Sequence, residues 1–160
     1  MIQFNFNEQD FLIVKEKAEA FYSEITEVYC PYFKEKIAFN TKGIKHLKFK
    51  TDKHARKEND QYARFKLLHL APEIVNMSHT LQGLWHTKQF VLEKTNSRSE
   101  KVLKDVSMYE FIAVIRNLRV KVIIKEVFGR EKYFWSIIPF WKVSNKTAKR
   151  MLYSGDPETD

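Results

Sequence analysis

"SMYEFIAVIRNLRVKVIIKEVFGREKYFWSIIPFW", Ser107 to Trp141, decides the fold. Its runs "SMYEFIAVIRN", "RVKVIIKEVFG" and "EKYFWSIIPFW" are rich in β-branched and aromatic residues, which pack well on a pleated surface. The breaks "RNL" and "FGRE" are polar or turn-prone, and a further run, "GLWHTKQFVLEK" (Gly83 to Lys94), precedes them across "TNSRSEK". The pattern predicts an antiparallel meander. "YEFIAVI" and "VKVII" are apolar on both faces, so part of the sheet must be covered on both sides.

The cover comes from upstream. Asn7 is placed to cap "EQDFLIVKEKAEAFYSEITEVY", whose first residues are acidic as a helix N-terminus prefers. Phe11, Val14, Ala18, Phe21, Ile25 and Val28 fall three and four apart, which predicts one long amphipathic helix ending before Pro31. "EKIAFN" reads as a short strand with a turn at Thr41 to Gly43. In "NDQYARFKLLHLAPEIVNM", Tyr62, Phe65, Leu68 and Leu70 have helical spacing, with Asn59 or Asp60 as cap and Pro72 closing the helix or opening a further turn. Helices first and strands after define an α+β domain, with N-terminal helices packed on a four- to five-stranded, mainly antiparallel sheet. Residues 1–150 form that one domain, and the acidic end, residues 151–160, reads as a mobile tail.

At 160 residues the chain suits a single core, and 44% hydrophobic residues exclude disorder. The formal charge of +8 points to a polyanionic partner. The lone cysteine, Cys30, excludes an internal disulfide framework and reads as a small apolar residue. The start "MIQFNFNEQDF" is unlike a signal peptide, and no apolar stretch has membrane-spanning length, so a cytoplasmic protein without a membrane partner is expected.

No glycine spacing matches a phosphate-cradling loop, and the five histidines lack partners at metal-ligand spacing. Neither a metal nor another cofactor is expected. What remains is the stretch from Gly43 to Phe65, "GIKHLKFKTDKHARKENDQYARF", with two histidines, two arginines and five lysines. RNA can be cut with such groups: its 2′-OH attacks the adjacent phosphate while one group takes a proton, another gives one, and a cation stabilises the phosphorane. His46 and His54 suit the proton transfers, and Arg56, Arg64 and Lys66 suit phosphate. Lys45, Lys48 and Lys53 extend the basic surface.

Each of these residues also has a plainer reading. A loop dense in lysine is most often solvated surface, and Arg64 can simply pair with Asp60 four residues earlier. His69 reads as a half-buried helix residue, and His79 and His86 as polar residues near a strand start. By alternation Tyr133, Trp135, Ile137, Pro139 and Trp141 share one face of the last strand, and Phe134, Ser136, Ile138 and Phe140 the other. Most are core; Tyr133 or Trp135 can stack on an unpaired base, and Ser136 is a hydroxyl that lines a cleft or needs a buried partner. Pro139 places its strand at an edge or at its end.

The order of these features resembles the phage-associated nucleases of the BECR fold, named for barnase, EndoU, colicin-type and RelE ribonucleases. The residues that carry the likeness are "KHLKFKTDKH", a helix closing in "LLHLAPEIV", and strands with "VKVIIKEV" and "KYFWSIIPFW", covering most of Lys36 to Lys142. The resemblance implies helices on an antiparallel sheet and RNA cleavage without metal. It implies site positions at His46, Leu47, Lys53 and His54, a proline–acidic–apolar set at Pro72, Glu73 and Ile74, and a cleft hydroxyl at Ser136. The His46–His54 spacing is longer than the family's compact form, and the long N-terminal helix is not a family feature.

The expected function is therefore a toxin-like or phage-associated endoribonuclease. Its site would comprise His46, His54, Arg64 and Ser136, with Lys45, Lys48, Lys53, Arg56, Lys66, Tyr133 and Trp135 holding RNA. Its partners would be RNA and a proteinaceous inhibitor or antitoxin. The alternatives are a non-catalytic nucleic-acid-binding module, or an interaction protein of immunity or antidefence type.

Overall fold

The computed structural model describes residues 6–139 and 156–160. In chain order these form α1 (Glu8–Glu24), β1 (Glu27–Cys30), β2 (Glu35–Ala38), α2 (Thr41–Lys48), β3 (Phe49–Thr51) and β4 (His54–Ala55). Next come α3 (Glu58–Leu67), a 3-10 turn (Leu68–Leu70), α4 (Ala71–Met77), β5 (Gly83–Thr95), β6 (Arg98–Ile115), β7 (Leu118–Val127) and β8 (Tyr133–Pro139). The architecture is α+β, with a six-stranded, mostly antiparallel sheet in the order β1-β2-β8-β7-β6-β5 and β3-β4 as a separate ribbon.

The meander from β5 to β8 forms where the β-branched runs predict it. The β5–β6 and β6–β7 turns close on Asn96-Ser97 and Arg116-Asn117, all four with positive φ, as tight two-residue hairpin turns require. The first turn is tighter than the break "TNSRSEK" suggests, because pairing runs on to Thr95 and Arg98. One strand more than the sequence predicts completes the sheet. The apolar stripe carries the first helix to Val28, but α1 stops at Glu24 and Glu27–Cys30 pairs with Glu35–Ala38 as β1. Thr41 to Gly43, predicted as a turn, is instead the first turn of α2. The Asn40 side chain accepts the Lys42 N–H at 3.1 Å and caps the helix.

α3 begins at Glu58 with no side-chain cap, so neither Asn59 nor Asp60 plays that part, and Pro72 lies in the first turn of α4. The helices cover one face of the sheet. Phe11, Tyr22, Leu47, Phe65, Ile74 and Val75 pack there against Phe111, Val122, Ile124, Phe134 and Ile137. On the other face a smaller group, Val106, Met108, Ile123 and Val127, packs with Val91 and Trp135.

β8 is irregular in two ways. It meets β2, in parallel, at the single pair Ala38 and Tyr133, and α2 and α3 pack along the strand. Its pairing with β7 also shifts register: Ile123 faces Ser136, but Ile124 faces Phe134, so Trp135 is an extra residue in a bulge. Strict alternation therefore fails. Phe134 and Ile137 both join the helix-side core, while Ser136 faces the same way as Ile123.

Candidate anion-binding cleft

Asn40 caps α2, and Gly43 lets that helix lie against β8. A Cβ at Gly43 would stand 2.5 Å from both the Phe134 carbonyl oxygen and the Tyr22 hydroxyl. This close approach places His46, in the last turn of α2, flat on Trp135 at 3.9 Å between ring centroids. Lys125 Nζ stands 4.0 Å from the same indole's centroid. The imidazole fills one face of the ring, so the ammonium occupies the other.

Arg56, just after β4, reaches back beneath α2. Its Nε donates to the His46 carbonyl oxygen at 2.8 Å, and its Nη2 lies 2.9 Å from His46 Nε2. A guanidinium only donates, so His46 Nε2 is the acceptor and the ring proton sits on Nδ1. Asp60 bridges two arginines, with Oδ2 3.3 Å from Arg56 Nη1 and Oδ1 2.6 Å from Arg64 Nε. Arg64 in turn donates to Ser136 Oγ at 2.7 Å. The Arg64–Asp60 pair is the one that helix spacing predicts, but it is buried, so it positions a charge inside the protein rather than decorating a surface.

The acidic end of the chain completes the cluster. The main-chain oxygen of Asp160 accepts from Ser136 Oγ at 2.8 Å, from Arg56 Nη2 at 3.1 Å and from Arg64 Nη1. Lys125 Nζ meets both Glu158 oxygens, at 2.9 and 3.1 Å. His46, Trp135, Lys125, Glu158 and Thr159 line an open cleft of about 590 Å³, whose walls also include Lys45, Lys50 and Phe90, while Arg56, Arg64, Ser136 and Asp160 stand behind that lining.

Burial drives the electrostatics. It pushes the His46 pKa down to about 2, helped by Arg56, Arg64 and Lys125, so the ring is neutral at ordinary pH. Burial also lowers Arg56 to about 10, with Arg64 adding to the effect and Asp60 opposing it. Lys125 is pushed down by burial and pulled back by Glu158. Trp135 Nε1 is buried with no hydrogen-bond partner among the described residues.

Of the residues singled out in the sequence, His46, Arg56, Arg64, Ser136 and Trp135 come together, and Lys45 and Tyr133 line the same cleft. Others lie elsewhere. His54 is exposed on β4 and bonds Thr51 Oγ1 at 3.1 Å, and Lys53 is exposed beside it. Lys48 pairs with Glu19 of α1, and Lys66 stands over Tyr62 on the helical side. Sequence reading alone passes over Lys125, Glu158 and Asp160. The available signal was Lys121 and Lys125, placed symmetrically about Ile123 in an apolar strand, which puts cations on the sheet face opposite the helices.

No family profile matches this chain, and no curated protein or solved structure matches it. Among the described residues no helix is long and apolar enough to cross a membrane, and no group of three His, Cys, Asp or Glu side chains is arranged to hold a metal ion.

Proposed function

We propose that the cleft binds RNA and cuts it by metal-independent transesterification, in the manner of the BECR-fold ribonucleases that the sequence resembles. One observation carries the reading: Arg56, Arg64 and Ser136 converge on a single oxygen behind the wall of a basic cleft. Two cations and a hydroxyl around one oxygen is the environment a phosphoryl oxygen needs. In the reaction the 2′-oxygen bonds to phosphorus as the bond to the 5′-oxygen breaks, leaving a 2′,3′-cyclic phosphate. The 2′-OH loses its proton to a base and the 5′-oxygen gains one from an acid. Burial depresses His46 most, and an anion bound at the arginines offsets the further share that Arg56, Arg64 and Lys125 add, which makes the ring a better proton acceptor. Lys125, whose proton burial loosens, is the donor that the cleft offers.

A second reading, a nucleic-acid-binding module without cleavage, is favoured by the engagement of His46 Nε2 by Arg56 and by the position of His54 outside the cluster. Incubation of total RNA in EDTA with wild type and His46→Ala separates the two. The nuclease reading expects fragments with cyclic phosphate ends from wild type and none from the variant. RNA retention without any fragments establishes the binding module instead. The cytoplasmic setting and a protein inhibitor belong to the nuclease reading, and host toxicity on expression, relieved by such an inhibitor, is its expected sign.

A further inference from the structure

We infer that the acidic segment Asp156–Asp160 is a displaceable occupant of the cleft, competing in cis with nucleic acid for Arg56, Arg64, Ser136 and Lys125. This rests on the reading of the cleft as a nucleic-acid site and concerns the regulation of that site.

The segment meets the cations as a substrate would. Asp160 presents one oxygen to Ser136, Arg56 and Arg64, Thr159 presents another to Arg56 at 3.0 Å, and Glu158 sets a carboxylate on Lys125. These oxygens fill the positions that phosphate oxygens would take. Three cations, Arg56, Arg64 and Lys125, share Asp60 inside the cluster, and the segment supplies the rest of the negative charge through Glu158 and Asp160. A phosphodiester offers the same cations charged oxygens and can take the place of the segment.

Access requires the segment to leave. Arg64 has 0% of its surface exposed and lies beneath Asp160, itself only 2% exposed. Glu158 and Thr159 form part of the cleft wall, so a strand entering past Lys45 and Lys50 meets them before it reaches the arginines. The segment is a turn of its own, with the Thr159 and Asp160 N–H groups on the Asp156 oxygen at 3.1 and 2.8 Å. Its hold on the protein combines these polar contacts with one buried apolar side chain, Pro157, a small anchor for a segment of five residues.

The test uses fluorescence anisotropy with 2′-O-methyl RNA, which cannot be cut by 2′-OH attack. The proteins are the full chain, a chain ending at Gly155, Glu158→Gln, and Glu8→Gln as a charge-matched control on α1. A site occupied in cis nine times in ten loses about tenfold in apparent affinity, so the shortened chain should bind about tenfold tighter. Glu158→Gln should bind several-fold tighter than Glu8→Gln. A synthetic peptide with the sequence of residues 155–160 should restore the weaker binding when added to the shortened chain. If the shortened chain does not fold, Glu158→Gln decides alone. Unchanged or weaker binding by a folded variant overturns the inference and makes the segment a fixed wall of the site, while RNA binding by the full chain would leave the nucleic-acid reading standing. Absence of RNA binding by every protein overturns both.

Discussion

His46 and Trp135 lie face to face, 3.9 Å between centroids and 18° from parallel, with the ammonium of Lys125 on the far side of the indole. The three-layer stack ties α2 to two strands of the sheet. Trp135→Leu removes both ring contacts and should cost about 1–3 kcal/mol, whereas Trp135→Phe keeps a stacking face and should cost less. Equal losses from the two variants in urea denaturation would show that the stack holds nothing.

His46 gives stability a defined pH dependence. Its folded pKa is depressed from 6.5 to about 2, so below pH 6.5 the unfolded chain binds a proton that the folded one refuses. Stability is therefore full above that pH and declines on acidification, by about 2 kcal/mol at pH 5. The slope should be shallower in His46→Gln, as followed by denaturation between pH 7 and 5; an identical slope contradicts the assignment.

Arg64 holds its charge inside the protein through Asp60 and Ser136. Arg64→Met leaves Ser136 short of a partner and Asp60 with Arg56 alone. A loss of about 3 kcal/mol or more is expected. Arg64→Met as stable as wild type would mean that the buried cation serves binding only.

Gly43→Ala puts a methyl group against the Phe134 carbonyl oxygen and the Tyr22 hydroxyl. The main-chain oxygen cannot yield, so α2 must move away from β8 and carry His46 with it. The expected cost is about 1–3 kcal/mol together with weaker RNA binding. The same change at Gly129, where no atom lies within 4 Å, is disfavoured only by its positive φ and should leave RNA affinity as it was.

Phe90 is 72% exposed on the outer wall of the cleft, too open to contribute much to the core. As a stacking platform for an unpaired base it should be worth about 1–3 kcal/mol of binding. Phe90→Ala is thus expected to weaken single-stranded RNA binding while its melting temperature stays within about a degree of wild type. A drop in melting temperature without a drop in affinity would place Phe90 among structural residues.

The strands of the meander were legible because β-branched and aromatic residues were dense and the turns between them short. β1 was not, since Ile25 and Val28 continue the three-and-four spacing of α1 by coincidence, and four residues are too few to show alternation. α2 was hidden for a chemical reason: Asn, Thr and Gly serve a tight turn and a capped helix start equally well. In the cluster, the types that bind phosphate could be named from the Gly43–Phe65 stretch and from Ser136. Which histidine lay inside could not, because His46 and His54 differ only in the element that carries them. The bulge at Trp135 was also invisible, since an extra residue is defined by the partner strand and not by its own.

Ser136 is 72 residues from Arg64 along the chain, and Asp160 is 104 from Arg56. Contacts that span such lengths close after the hairpins, which need only local turns. The contacts among His46, Arg56, Asp60 and Arg64 are by contrast local, each pair lying ten residues or fewer apart along the chain. Ser136 and Trp135 arrive only with β8, so a chain stopped short of that strand lacks the hydroxyl that Arg64 meets and the indole on which His46 lies.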